Sequence, residues 1–372
     1  MNIFVPGRIC LFGEHTDWAG GYRRINGKLK KGLAIVVGTN QGIYAKVKPH
    51  PNKLIITSTI TNGEKREPFE LPMQLDHLEK IAKSDNVFSY IAGVAYQVLN
   101  HYNVGGLIID NYYTDLPFKK GLSSSAAISV LVARAFNRIY NLKMTIRGEM
   151  EYAYRGEINT LSLCGRMDQG CAYGNNPIMM TFDGDQLYIK QLEINNNFHF
   201  VIVDLKGKKD TIKILTKLNQ CFPFQENATQ EKVKHFLCEI SESITEKAAA
   251  ALRAGDAVGL GKLMCLAQEE FDRYCIPACP EELRAPLLHK LLNYKPLSPL
   301  ILGGKGVGSQ GDGSAQLLVR NESDQNKVIS IIGNELGMSC LKLTIQSNKC
   351  AEREVASVSE FDTNFFTGSS SH

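Results

Sequence analysis

A run of three serines behind a glycine is the first feature of the sequence that could do chemistry. The stretch GLSSSAAI, residues 121–128, leads directly into an apolar pattern that is typical of a helix. The start of a helix exposes unpaired N–H groups and a partial positive charge, so it attracts anions. A glycine lets the backbone approach a phosphate closely, and a serine oxygen can also ligate Mg²⁺. Residues 121–125 therefore predict a phosphate site, although a simple helix cap at Ser123 explains the same residues.

A second cluster follows the first apolar segment of the chain. The stretch VPGRICLFGEHTDWAGG places four ionisable side chains within ten residues and borders them with glycines: Arg8, Glu14, His15 and Asp17. Carboxylates and an imidazole on a rigid turn suit the recognition of hydroxyl groups, because a carboxylate accepts hydrogen bonds from two neighbouring hydroxyls. A surface turn explains one or two such side chains, but rarely four.

A third segment, CGRMDQGCAYG, places Asp168 between small residues and Gln169. A carboxylate in an otherwise apolar strand or turn is costly unless it has a cationic partner or a catalytic task. A buried ion pair or a turn cap would explain Asp168 structurally, and proton transfer would explain it functionally. The segment alone leaves both interpretations open.

The composition narrows the class of protein that could carry these clusters. A chain of 372 residues exceeds the usual size of a single hydrophobic core, so two domains are expected. A net charge of +4 gives no reason to expect nucleic-acid or membrane binding. The ten cysteines form no Cys-x-x-Cys pair and lie mostly in apolar runs, which favours free thiols in a reducing cytoplasm. The start of the chain lacks the pattern of a signal peptide, and no apolar run approaches a membrane span.

Strands and helices interleave along the chain, which predicts an α/β or α+β fold. Strands are predicted at 2–12, 53–60 and 105–114, as a pair around a Gly/Asn turn within 32–51, and as a hairpin through Asp183-Gly184. Helices are predicted at 87–102, from the serine run to about Asn141, and in TIRGEMEYAYRGEINTL. A new strand, loop and helix begin near residue 195. The expected domains are 1–194 and 195–365, with 366–372 as a disordered or tag-derived tail.

Taken together and in this order, the three segments resemble the signature motifs of the GHMP small-molecule kinases. GRICLFGEHTDWAGG is similar to the substrate motif of galactokinases, GLSSSAA to the phosphate loop of the family, and CGRMDQ to a further galactokinase segment. The resemblance covers most of the chain. It implies an α+β fold of two domains, the first an α/β domain like ribosomal S5 domain 2 and the second a ferredoxin-like α+β domain.

The resemblance also implies a reaction, the transfer of phosphate from ATP to a sugar hydroxyl. ATP would be bound through its phosphates by Gly121, Leu122, Ser123, Ser124, Ser125, Gly306 and Gly308. Mg²⁺ would be held by a loop serine, Ser124 or Ser125, and by Glu157. Asp168 would act as the base or orienting acceptor, and Arg8 would pair with it. The ring hydroxyls would be bound by Glu14, His15 and Asp17, and an anomeric sugar 1-phosphate is the expected product.

Two segments depart from the family pattern. The third motif reads GGKGVGSQGDGSAQ, in which Lys305 and Asp312 are unusual beside phosphates, and a plain hairpin turn is the alternative. Five of the nine residues at 23–31 are basic. They predict either a solvated loop or the neutralisation of an acidic substrate such as a uronic acid. Lys206, Lys208 and Lys209 could act from the second domain, although an exposed loop explains them equally well.

The sequence leaves other functions open. One alternative is a sensor that binds sugar and ATP without turnover, and another is a mevalonate-type alcohol kinase. The integrity of the catalytic positions favours catalysis, and Asp17 favours a sugar. The expected partner is a small-molecule sugar, with no nucleic acid and no membrane, in a cytoplasmic monomer or homodimer.

Overall fold

A computed structural model describes residues 1–58, 67–86, 88–117, 121–162 and 164–347. The first part of the chain forms a seven-stranded sheet from β1 Asn2–Phe12, β2 Gly32–His50, β3 Lys53–Ser58, β4 Phe69–Pro72, β5 Gly106–Thr114, β6 Ile178–Asp183 and β7 Gln186–Gln191. The strand order is β4-β3-β5-β2-β6-β7, and β1 pairs with β2. Of these pairs, β3 and β5 run parallel and the others antiparallel.

Five helices accompany this sheet: α1 Thr16–Gly21, α2 Leu75–Ala82, α3 Ser89–His101, α4 Ser124–Tyr140 and α5 Ile146–Ile158. The central one, α4, is buried along most of its length because its alanines and branched apolar residues pack under β1 and β2. It ends at Asn141, which adopts the left-handed conformation that asparagine tolerates.

The second part of the chain forms a four-stranded antiparallel sheet from β8 Phe198–Asp204, β9 Ile301–Gly306, β10 Ser314–Val319 and β11 Ser339–Ile345. Its strand order is β11-β8-β10-β9. Counted along the chain, the four strands therefore lie in the order 4-1-3-2, which is that of a ferredoxin-like fold. Its helices are α6 Thr211–Asn219, α7 Ala228–His235, α8 Ser241–Ala254, α9 Ala257–Cys275, α10 Pro280–Leu283, α11 Pro286–Leu292 and α12 Glu322–Ile331. The predicted α+β class with two sheets is confirmed.

One apolar core joins the two sheets. Phe198, Phe200 and Ile202 of β8 belong to the same buried cluster as the residues of β1 and β2. The predicted boundary between residues 194 and 195 falls between β7 and β8, and it stays a prediction. The predicted tail at 366–372 lies outside the described residues.

The prediction of two strands around a turn within 32–51 is wrong, because these residues form the single strand β2. Its glycines serve close packing instead of a turn. A Cβ at Gly38 would lie 2.3 Å from the carbonyl oxygen of Gly174, and one at Gly42 would lie 2.4 Å from that of Val5. The predicted hairpin through Asp183-Gly184 is confirmed as β6 and β7.

Two findings bear on the expected class of protein. The nine cysteines within the described ranges are all free thiols. None of the described helices combines the length and the apolar character that crossing a lipid bilayer requires.

Candidate active site

Asp168 and Arg8 form the ion pair at the centre of the site. Asp168 begins the short 3₁₀ helix Asp168–Tyr173, and Arg8 lies in β1. Nη2 and Nε of Arg8 donate to Oδ1 of Asp168 at 2.5 and 3.2 Å. Nη1 donates to the carbonyl oxygen of Gly121 at 3.0 Å. The backbone N–H of Arg8 donates to the carbonyl oxygen of Leu122, also at 3.0 Å. Arg8 therefore joins the residues of all three sequence motifs.

Ser123 contacts the same carboxylate from the other side. It precedes α4 in a left-handed conformation, with φ of 53°, and its side chain caps no N–H group. Its hydroxyl instead donates to Oδ2 of Asp168 at 2.8 Å. The interpretation of Ser123 as a helix cap is therefore wrong as to its side chain. Ser124 and Ser125 form the first turn of α4, where backbone N–H groups lack helical partners.

Glu157, near the end of α5, is the carboxylate that could hold a metal ion. Its side chain is 1% exposed, and its Oε2 accepts a hydrogen bond from Nε2 of Gln169 at 2.7 Å. The Ser125 hydroxyl faces the same carboxyl group. Burial and the nearby charge of Asp168 raise the pKa of Glu157 to about 7. Its Oε1 is buried and has no hydrogen-bond partner among the described residues. A buried carboxylate oxygen without a partner is suited to binding a cation.

Asp17, in the first turn of α1, lies against the Asp168 segment. A Cβ at Gly165 would lie 1.9 Å from Oδ2 of Asp17, so only glycine fits beside this carboxylate. Burial and the like charge of Asp168 raise the pKa of Asp17 to about 6. Asp17 and Asp168 are therefore close enough for their charges to interact.

His15 presents a neutral imidazole with a defined tautomer. The indole Nε1–H of Trp18 donates to Nδ1 of His15 at 3.2 Å, so the remaining proton lies on Nε2. Burial, followed by the positive charges of Lys209 and Lys305, lowers the pKa of His15 to about 4. Nε2 is buried, and the backbone of Ser309 faces the imidazole and opposes the lowering of its pKa. Nε2 is therefore a fixed donor beside the acceptor side of the site.

Glu14 is engaged by a residue of the second sheet. Its Oε1 accepts a hydrogen bond from Nζ of Lys305, whose side chain is 2% exposed and also donates to the carbonyl oxygen of Gly306 at 3.0 Å. Burial raises the pKa of Glu14, and the charge of Lys305 opposes that shift. The pair lines a small cavity together with Phe236 and Thr245. The unusual Lys305 of the third motif thus neutralises a carboxylate that was predicted to bind sugar.

The third motif forms a hairpin between β9 and β10 that lies beside the serine loop. A Cβ at Gly121 would lie 3.9 Å from Oγ of Ser314. Gly306 is the last residue of β9, and its N–H is not free for the predicted phosphate because it donates to Oε1 of Gln268 at 2.7 Å. Gly308 lies in the turn, with φ of 66° and open space where a Cβ would be.

Asp312 turns away from the serine loop and caps α11. Its Oδ1 accepts hydrogen bonds from the backbone N–H groups of Leu287 and Leu288 at 2.9 and 3.0 Å. The carboxylate satisfies two free donors at the start of that helix, so it presents no charge to a phosphate.

Four of the five basic residues at 23–31 form ion pairs with carboxylates. The pairs are Arg23 and Lys31 with Asp183, Arg24 with Asp185, and Lys30 with Glu242. These ion pairs account for four of the five charges that suggest an acidic substrate, and Lys28 is exposed. The interpretation as a solvated loop is the one that the structure favours.

Lys209 lies at the site, although its sequence context does not distinguish it from Lys206 and Lys208. It lies in the loop between β8 and α6, and its Nζ donates to the carbonyl oxygen of Gln310 at 3.0 Å. Burial and the nearby charge of Arg8 lower its pKa to about 8. Only a glycine at position 313 leaves room for it, because a Cβ there would lie 2.6 Å from Nζ.

Comparisons with known proteins support a phosphotransferase that acts on an alcohol group. Residues 89–175 match the family described as "GHMP kinases N terminal domain". The galactokinase of Thermococcus kodakarensis is 26% identical over 345 residues, which are 86% of this chain and 90% of that protein. The chain is therefore similar to GHMP kinases, over residues 89–175 to the family and over most of its length to this galactokinase.

Solved structures show the same fold at low sequence identity. Lactococcus lactis galactokinase complexed with galactose matches with a TM-score of 0.69 at 19% identity, covering 93% of both chains. Methanococcus jannaschii mevalonate kinase matches with a TM-score of 0.68 at 18% identity, covering 94% of this chain and 98% of that one.

Proposed function

We propose that the chain is an ATP-dependent sugar kinase that phosphorylates the anomeric hydroxyl of a monosaccharide. The family and the galactokinases among its relatives support this proposal. The observation that carries it is the double engagement of one carboxylate: Asp168 accepts hydrogen bonds from both Arg8 and Ser123. These contacts bring two segments to the same group: β1, which leads into the proposed acceptor turn at residues 13–17, and the proposed phosphate loop at residues 121–125.

In the proposed reaction, the acceptor oxygen attacks the γ-phosphorus of ATP. The bond from that phosphorus to the β–γ bridging oxygen breaks, and ADP leaves with the bonding electron pair. The proton of the acceptor hydroxyl passes to Asp168 as the new oxygen–phosphorus bond forms. Such a transfer depends mainly on positioning and on charge neutralisation, which Arg8 provides.

The phosphates of ATP would lie at the N-terminus of α4. The backbone of Gly121, Leu122 and Ser123 leads into that helix end, and Ser124 is the first residue of the helix. Gly308, in the turn of the third motif, is proposed to contact the same phosphates. Exposed N–H groups and the partial positive charge of the helix would hold the anionic groups. Ser123 additionally orients Asp168.

Glu157 and Ser125 would hold Mg²⁺, because the free Oε1 of Glu157 fits a hard cation. Within the described ranges, no group of three or more His, Cys, Asp or Glu side chains forms a metal cluster. Two protein ligands are the usual arrangement for Mg²⁺ that also binds substrate phosphates. The bound ion would neutralise the charge of those phosphates.

The acceptor would lie against Asp17 and His15. Asp17 would accept hydrogen bonds from ring hydroxyls, and Nε2–H of His15 would donate one. Glu14 is proposed to act at the edge of this site only, since Lys305 already binds it. The ion pairs of residues 23–31 leave a neutral sugar as the proposed acceptor.

A coupled assay of ADP release tests this proposal. The panel contains neutral, amino and acidic monosaccharides and mevalonate, and ³¹P NMR identifies the phosphorylated position. Turnover of a neutral sugar to its 1-phosphate is expected. Turnover of mevalonate alone would contradict the proposal, and sugar binding by calorimetry without any turnover would indicate a sensor.

We also propose a cytoplasmic location and a monomeric or homodimeric state. The nine free thiols of the described residues suit a reducing compartment. Light scattering measures the oligomeric state directly.

A further inference from the structure

Three lysine and arginine side chains meet around the site, and two of them have carboxylate partners. Arg8 pairs with Asp168, and Lys305 pairs with Glu14. The third cation is Lys209. Among the described residues, no carboxylate lies within ion-pair distance of its Nζ, whose one hydrogen bond goes to a carbonyl oxygen.

The position of Lys209 is built into the fold. The loop that carries it packs directly on the third motif, since a Cβ at Gly207 would lie 2.4 Å from the carbonyl oxygen of Asp312. The aliphatic end of Lys209 covers Gly313, and Gln310 fixes its Nζ. A side chain held at both points keeps its ammonium group in one place.

This ammonium group carries an uncompensated charge. Burial and the charge of Arg8 both disfavour its protonated form, which lowers its pKa to about 8. Holding a cation in this position is costly in the absence of an anion. The cost is removed when an anion binds between Lys209 and Arg8.

The surroundings indicate which anion fits. Arg8 contacts the reacting carboxylate, and the hairpin that holds Lys209 lies beside the phosphate loop through Ser314 and Gly121. His15, whose pKa Lys209 lowers, belongs to the acceptor turn. Lys209 thus lies between the donor side and the acceptor side.

We infer that Lys209 is a further catalytic residue, which binds the γ-phosphoryl group while it passes from ATP to the acceptor oxygen. This inference rests on the proposed function. The bond that breaks is the one between the γ-phosphorus and the β–γ bridging oxygen, and the bond that forms joins that phosphorus to the acceptor oxygen. Asp168 takes the proton, and Arg8 and Lys209 share the charge of the equatorial oxygens from two sides.

The variant Lys209→Met tests the inference in the full-length protein. We expect kcat to fall about 10²–10³-fold, as for the loss of one charge-stabilising donor. Separate calorimetric titrations should show affinities for an ATP analogue and for the sugar within about threefold of the unsubstituted protein, because the ground state gains little from this contact. Lys209→Arg should recover most of kcat, since it restores the charge. Lys208→Met removes an exposed charge from the same loop and serves as the matched control.

A second measurement requires no turnover. ADP with aluminium fluoride and sugar mimics the phosphoryl group in transfer, and Lys209→Met should weaken binding of this complex by the same factor as kcat. Unchanged binding of the complex would overturn the inference, as would an unchanged kcat in a protein that does turn over. A rise in KM confined to acidic sugars would also overturn it, because the anion would then belong to the acceptor. Absence of turnover by the unsubstituted protein would instead contradict the proposed function.

Discussion

The hydroxyl of Ser123 donates to Oδ2 of Asp168 at 2.8 Å, across 45 residues of sequence. The other carboxylate oxygen is held by Arg8, so both oxygens have a defined partner. Ser123 reaches Asp168 because its backbone is left-handed, with φ of 53°, which turns the side chain away from the N–H groups of α4. A residue that would ordinarily cap a helix instead orients the carboxylate that we propose as the base.

Replacing Asp168 by asparagine should remove the proton acceptor. We expect Asp168→Asn to lower kcat about 10²–10⁴-fold, the usual contribution of a general base. ATP and sugar should still bind, which calorimetry measures. Asp185→Asn, which removes a carboxylate from an exposed ion pair with Arg24, is the control. Retention of full activity by Asp168→Asn would exclude this carboxylate as the base.

Two substitutions at Ser123 separate its backbone from its hydroxyl. Both Ser123→Ala and Ser123→Gly lose the hydrogen bond to Asp168, so kcat should fall about tenfold in each. Glycine adopts the left-handed conformation without strain, whereas alanine does not. The free energy of unfolding of Ser123→Gly should therefore be about 1 kcal/mol higher than that of Ser123→Ala. Denaturant unfolding measures the difference. An alanine variant as stable as the glycine variant would argue against the strained backbone.

The buried carboxyl of Glu157 should make stability depend on pH and Mg²⁺. Its pKa is raised to about 7, so its contribution to stability is present at low pH and is lost as the pH rises through 7. Compared with Glu157→Gln, the free energy of unfolding of the metal-free protein should fall by about 2–3 kcal/mol between pH 5 and pH 8.

Added Mg²⁺ should restore this loss at pH 8 more than at pH 6, because the metal binds the deprotonated carboxylate. Thermal unfolding with and without Mg²⁺ provides the measurement. Glu151→Gln, on the same helix, should respond to pH and Mg²⁺ like the unsubstituted protein. A magnesium effect that is equal at both pH values would speak against Glu157 as a ligand.

The buried ion pair between Glu14 and Lys305 should make the effects of substituting the two residues on stability non-additive. Lys305→Met leaves a buried carboxylate without a partner and should destabilise the protein by about 3–5 kcal/mol. The double variant Glu14→Gln, Lys305→Met should recover most of that loss. A double-mutant cycle in denaturant measures the coupling, and strictly additive effects would show that the two side chains do not interact.

Local patterns predicted much of the fold. The serine run does lead into α4, and the alternating residues around Asp183-Gly184 do form a hairpin. The glycines of β2 misled the prediction because a glycine in a strand can mark either a turn or a close backbone approach. Only the neighbouring chain, which packs on Gly38 and Gly42, distinguishes the two.

The parts of the site that the sequence did not predict depend on distant partners. Lys305 and Glu14 are 291 residues apart, and neither shows from its own segment that the other neutralises it. Lys209 resembled its exposed neighbours, because its burial depends on Gly313 and Gln310 of the third motif. Local residue patterns predict helices and strands, but they do not predict which charged side chains from the two sheets lie in contact.

Trp18 gives the acceptor turn its own optical signal. It is the only tryptophan in the chain, it donates to the imidazole of His15, and its ring packs edge-on against Phe222 at 5.3 Å between centroids. In the proposed site, a ligand that hydrogen-bonds to His15 or Asp17 would change the surroundings of this indole, whereas a nucleotide at the N-terminus of α4 would leave them unchanged. Intrinsic fluorescence therefore distinguishes acceptor binding from donor binding without a label.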